Sequence, residues 1–175
     1  MKGYLGKILR VNLTTMKISD EPLKVDYARK FIGGRGLAAK ILFDEVERNV
    51  APLSPANRMI FATGPLSGVA TSARCTLTTK SPLTGIYLYS VAGGDFGPAI
   101  KRSGFDAVIV EGRAEKPVYL SVDDGNAVLR DAEWLWGIPT FEASRLIKET
   151  VGADNRIALI GPAGERLVKF SSVIT

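Results

Sequence analysis

Hydrophobic and polar positions along the chain change period several times, and each change marks an element. Residues 4–13 and 16–19 alternate around the polar turn at 12–15, the pattern of two strands joined as a hairpin. Residues 26–32 and 37–46 carry apolar positions at helical spacing, with the first run stopped by Gly33 and Gly34. Strand-like runs follow at 58–63, 74–79 and 86–90, separated by the turns "GPLSG" and "KSPLTG". Three more lie at 107–111, 117–122 and 127–131, the last two predicting a hairpin across "DDGN". The clearest helix spans 140–151, with Phe141, Ala143, Leu146, Ile147 and Val151 on one stripe. Residues 156–160 and 168–173 read as closing strands.

The order hairpin, helix, strand occurs twice. "NRMIFATGPLSG" from Asn57 answers "NRIALIGPAGE" from Asn155, and "VNLTTMKISD" from Val11 lies over "VDDGNAVLRD" from Val122. The expected fold class is therefore α+β: two similar, intertwined β-hairpin/helix/strand repeats, roughly residues 1–105 and 106–175, forming mixed sheets with helices packed against them. No linker separates the repeats, so one domain over 1–175 is expected. The chain stops on an apolar run without a breaker, which reads as a domain cut near its C-terminal end.

Composition narrows the chemistry. The 175 residues include 46% hydrophobic and 23% charged positions, ordinary for a globular protein. No run approaches the roughly 18 apolar residues of a membrane span, and the N-terminus lacks a signal-peptide core. The net charge of +5 points to an anionic partner, but the cations are scattered and no stacking-aromatic motif accompanies them. Phosphates are thus favoured over nucleic acid. With no histidine, imidazole acid–base catalysis and imidazole metal ligation are absent from this chain. A single cysteine, Cys75, forms neither an internal disulfide nor a metal cage, consistent with a reducing cytoplasm.

The candidate site lies in "TGIYLYSVAGGDFGPAIKRSGFD", where Gly93, Gly94 and Gly97 separate a strand from a helix-like tail at residues 99–102. Bare backbone can approach a ligand closely, and successive N–H groups before a helix form an anion-binding concavity. The spacing is neither a dinucleotide fingerprint nor a Walker loop. A tight structural turn and a phosphate or cofactor cradle both remain open. "GGRG" at 33–36 reads as a joint between two helices. Strand alternation puts Arg74, Thr76 and Thr78 on one polar face, either solvated or offering a guanidinium fork to a phosphate or a hydrogen-bonding heterocycle, and turns Cys75 inward as a small core residue. Asp95 reads as a turn-capping side chain, with a general base as the alternative.

The blocks "GYLGKILRVNLTT", "FIGGRGLAAKIL", "PLSPANRMIFATGPLSG", "TKSPLTGIYLYSVAGGDFG", "GFDAVIVEGRAEKPVYL" and "GPAGERLVKFSSV", taken in order, resemble the N-terminal domain of the tungsten-containing aldehyde:ferredoxin oxidoreductases. The resemblance runs nearly end to end. It implies a tungsten (or molybdenum) bis-pterin cofactor whose phosphates meet at Mg2+, used to oxidise aldehydes to carboxylic acids, with electrons passing through a 4Fe–4S cluster to ferredoxin. It also implies an α+β duplication serving as the base for the cofactor. Carried over, Arg74 matches a pterin-contacting arginine, and Val91, Ala92 and Gly93, with Gly94 beside them, match the loop at the pterin phosphates and magnesium. The family often has Gly-Gly before that arginine and Asn in the loop, where this chain has Ser72–Ala73 and Val91. A Val91 carbonyl can still meet magnesium, but an amide side chain cannot. The cluster ligands, the acid–base groups and the substrate pocket are expected in C-terminal domains beyond this chain, so the isolated piece is expected to be inactive and to self-associate through an uncovered apolar face. The alternative is a freestanding, non-catalytic binding subunit that docks a partner carrying the cluster.

Overall fold

The computed structural model describes residues 1–69 and 73–175. A six-stranded mixed sheet forms its centre, in the order β2-β1-β6-β3-β4-β5. The strands are β1 (Lys7–Asn12), β2 (Lys17–Pro22), β3 (Arg58–Thr63), β4 (Cys75–Lys80), β5 (Tyr87–Ala92) and β6 (Ala107–Glu111). Only β1 and β6 run parallel; the other pairs are antiparallel. Strand β6 lies between β1 and β3, so a segment assigned by sequence to the second repeat completes the sheet of the first. The fold is mixed α+β, as expected.

Each face of this sheet has its own core. Helices α1 (Val25–Phe31) and α2 (Gly34–Glu45) cover the first, where Leu37, Ala38, Ile41 and Leu42 pack on Ile8, Ile60, Ala62 and Ile109. The second face holds Leu9, Val11, Cys75, Ile100, Phe105 and Val108, under α3 (Phe96–Arg102) and the hairpin of β7 (Val118–Asp123) and β8 (Asn126–Asp131). Helices α4 (Thr140–Val151) and α5 (Pro162–Glu165) follow. Between this second face and the later elements lies a cavity of about 1780 Å³, lined by Phe61, Leu77, Val110, Leu120, Ile147 and Ile157 among others.

Two ionic knots brace the six-stranded sheet. The Arg10 guanidinium meets Glu21 at 2.5 Å, Glu45 at 2.8 Å and Glu111 at 3.1 Å, while Arg58 adds bonds to Glu45 and Glu111. Burial pushes the Glu45 carboxyl up, but Arg10 and Arg58 outweigh it and hold the group below the usual range. At the opposite end Asp106 accepts from the Leu5 and Gly6 amides and pairs with Lys101 of α3.

Three expectations fail. Residues 156–160 and 168–173 do not form strands, because a strand-like sequence needs a ladder partner; a lone bridge pairs Leu159 with Ile174, just past the second run. Phe141 is 93% exposed, so the buried stripe of α4 is Ala143 and Ile147. Thr76 and Thr78 are buried rather than solvated, since their face of β4 lies under α2.

Candidate functional site

The β4–β5 register builds the site. Its last rung pairs Cys75 with Ala92, so Arg74 and Gly93 stand one step beyond, side by side at the open end of the hairpin. From Ala92 the main chain turns through Gly93 and Gly94 into Asp95 and α3. Gly94 has φ +74°, a conformation that side chains rarely adopt. A Cβ placed on Gly93 or Gly94 would meet nothing within 4 Å, and both residues are exposed. The bend is open rather than filled by neighbours.

Gly97 serves another purpose. A Cβ there would lie 3.0 Å from the Arg74 carbonyl carbon and oxygen and 3.1 Å from the Cys75 nitrogen. Glycine therefore lets α3 press directly on the main chain at Arg74. From the turn after β3, Ser67 Oγ donates to the Arg74 carbonyl at 3.2 Å and accepts from the Gly64 amide at 3.1 Å. The Arg74 backbone is thus held by both helix and turn, while the residue itself is exposed. Sequence reasoning missed Ser67, whose signal was a lone serine inside the Gly/Pro turn "GPLSG". Ser72, one of the departures from the family pattern, lies outside the described residues.

Val91 is exposed on β5, paired in register with Thr76, and Ala92 is half-buried. "GGRG" does begin a helix joint: Gly33 ends the turn, and Gly34 to Gly36 form the first turn of α2. Its Arg35 donates to the Tyr89 hydroxyl at 3.1 Å and lies over that ring at 4.8 Å, on the face that also carries Val91. Asp95 does not cap α3; its carboxylate accepts from Arg156 at 3.2 Å. Cys75 is inward and buried, as expected, and burial pushes its thiol up to about 12, which keeps it protonated and inert.

The chemistry available here is binding. Exposed main chain, an exposed arginine at the adjacent position of the neighbouring strand and an absence of bulk suit a phosphorylated group that backbone donors and carbonyls can reach. Among the described residues no group of three His, Cys, Asp or Glu side chains could hold a metal ion. A hard cation would have to take main-chain oxygen, which suits magnesium.

A mixed α+β fold with an open main-chain bend at Gly93 and Gly94 defines the class. The family model described as "Aldehyde ferredoxin oxidoreductase, N-terminal domain" matches residues 8–175, and the chain belongs to that family. It is 46% identical over 177 residues to the tungsten-containing aldehyde ferredoxin oxidoreductase of Pyrococcus horikoshii, covering 99% of this chain and 29% of that protein. It is 33% identical to a Pyrococcus furiosus protein named aliphatic sulfonate oxidoreductase, WOR-like subunit, over all of this chain and 31% of that one. A solved structure, the active site complex BamBC of benzoyl coenzyme A reductase with 1,5 dienoyl-CoA, superposes with TM-score 0.95 at 34% identity, over 99% of this chain and 27% of that one. The chain thus spans under a third of the length of these relatives. Among the described residues no helix is long and apolar enough to cross a membrane.

Proposed function

We propose that this chain is the base on which a tungsten (or molybdenum) bis-pterin cofactor lies in a cytoplasmic aldehyde:ferredoxin oxidoreductase. The observation that carries the reading is the unfilled space over Gly93 and Gly94 with Arg74 beside it. Residues 91–94 would present main-chain donors and carbonyls to the pterin phosphates, with the Val91 carbonyl a ligand for Mg2+. The Arg74 guanidinium would hydrogen-bond a pterin. When bound, the cofactor supplies the two-electron chemistry that converts an aldehyde and water to a carboxylic acid. This chain's residues anchor and orient it; the 4Fe–4S cluster, the acid–base groups and the ferredoxin contact belong to further domains.

Aldehyde is favoured over other substrate classes because identity reaches 46% with an aldehyde oxidoreductase but 33% with the sulfonate enzyme. The further domains are also the natural cover for the apolar cavity on the second sheet face. The two halves, 1–105 and 106–175, are read as a duplication whose members share one sheet through β6. Substituting Arg74→Ala in the full-length protein is expected to lower pterin and tungsten per chain or to shift the metal's redox potential. Unchanged metal content, potential and kinetics would refute the role of Arg74.

A further inference from the structure

Among the described residues, almost nothing polar ties the part of the chain after Arg113 to the part before it. Among the described residues, one hydrogen bond joins any residue after Arg113 to any residue before it: Arg156 to the carboxylate of Asp95, 61 positions apart. That bond lands on the glycine loop. Asp95 directly follows Gly94, and its own carbonyl accepts from Ala99 to open α3. On the other side, Arg156 is fixed by a 2.7 Å bond to the Asp154 carbonyl, just beyond α4.

We propose that Arg156 is a positioning residue for the glycine loop: through Asp95 it clamps residues 93–97 to the segment after α4, setting the loop's height above β4 and β5. The proposal rests on the reading of the loop as the phosphate cradle. Asp95 is freed for this work because it makes no capping bond to α3. Gly97 at the loop's far end packs on Arg74, but a Cβ added at Gly93 or Gly94 would meet nothing within 4 Å, so one directional bond at Asp95 has leverage on that near end. The pair is 37% and 60% exposed, so it adds little to global stability; its effect is local. Exposed pairs are also screened, so the clamp should weaken as salt rises.

The test is hydrogen–deuterium exchange of the peptide spanning residues 91–100 in the full-length protein, at low and high salt, for wild type, Arg156→Gln, Asp95→Asn, the double variant and Arg156→Lys. Pterin content is measured on the same samples. The single variants are expected to raise exchange about two- to fivefold, the range open to a surface ion pair. The double variant should be no worse than either single one, salt dependence should vanish in all three, and Arg156→Lys should restore part of the protection. A merely structural surface charge would not link this peptide's exchange, and its salt response, to a residue beyond α4. Exchange and salt response equal to wild type in both single variants would overturn the clamp. Wild-type protein that shows the coupling but carries no pterin would leave the clamp standing and sink the cofactor reading instead.

Discussion

Asp106 joins three parts of the molecule that set the site, and its neutralisation has a size that can be worked out. Its carboxylate is almost fully buried, accepts from Gly6 N at 2.7 Å and Leu5 N at 3.0 Å, and pairs with Lys101 near the end of α3. Its carbonyl takes both the amide and the hydroxyl of Thr63 at the end of β3. The residue thus holds the N-terminal strap, the far end of α3 and the edge of the turn carrying Ser67. Asp106→Asn keeps the volume but presents an amide to donors and leaves the ammonium of Lys101, whose side chain is 10% exposed, without its counter-charge. Removing one partner of a buried ion pair costs about 3–5 kcal/mol. Total stability for a domain is about 5–15 kcal/mol, so the loss is a large share of it. With a urea m-value of about 2 kcal/mol/M, the midpoint should fall by about 2 M at unchanged slope. Adding Lys101→Met should recover part of the loss, because the stranded charge is then gone. A midpoint shift corresponding to less than about 1 kcal/mol would refute the reasoning, since it would mean that water already satisfies the strap's amides.

Two further outcomes follow from the same contacts. Gly97→Ala forces a methyl to 3.0 Å from the Arg74 main chain and should cost about 1–3 kcal/mol by thermal or urea unfolding, while moving Arg74. A cost near zero would mean that α3 does not bear on β4. Because burial raises the Cys75 thiol to about 12 from its ordinary 9.0, its stabilisation is intact below the ordinary thiol range and is lost as pH rises towards the native value. Unfolding free energy should therefore decline on the alkaline side, and Cys75→Ala should flatten that limb; identical slopes would contradict it.

Much of the fold was readable where local signals agreed. Strands β3 and β6 and helix α4 begin and end at the expected residues, because alternation or helical spacing is uninterrupted and turn residues bound each run. The insertion of β6 between β1 and β3 was not readable, since it is a non-local pairing that the sequence does not record. Thr76 and Thr78 misled because polarity was taken for exposure; α2 lies over them, and Thr78 is fully buried with its hydroxyl unpartnered among the described residues. Residues 156–160 have strand character but lack a ladder, so propensity alone did not make a strand. At the site, the glycines stood out but their division of labour did not. Gly97 answers to a packing contact with Arg74, whereas Gly93 and Gly94 answer to open space, and only coordinates separate the two. Asp95 was expected to look inwards to its helix; its partner Arg156 is 61 residues away and invisible to local reasoning.

Gly93 offers the most direct test of the cradle. Its φ lies outside the left-handed region and an added methyl touches no protein atom, so Gly93→Ala should leave folding intact and raise stability by about 0.4–1 kcal/mol through the unfolded chain. On the proposed reading, the same methyl would stand where the phosphorylated cofactor approaches the main chain. Pterin and tungsten per chain, measured on full-length Gly93→Ala protein beside wild type, should fall severalfold while the melting temperature holds or rises. Full cofactor occupancy in the variant, at unchanged melting temperature, would contradict the claim that this bare backbone seats the cofactor.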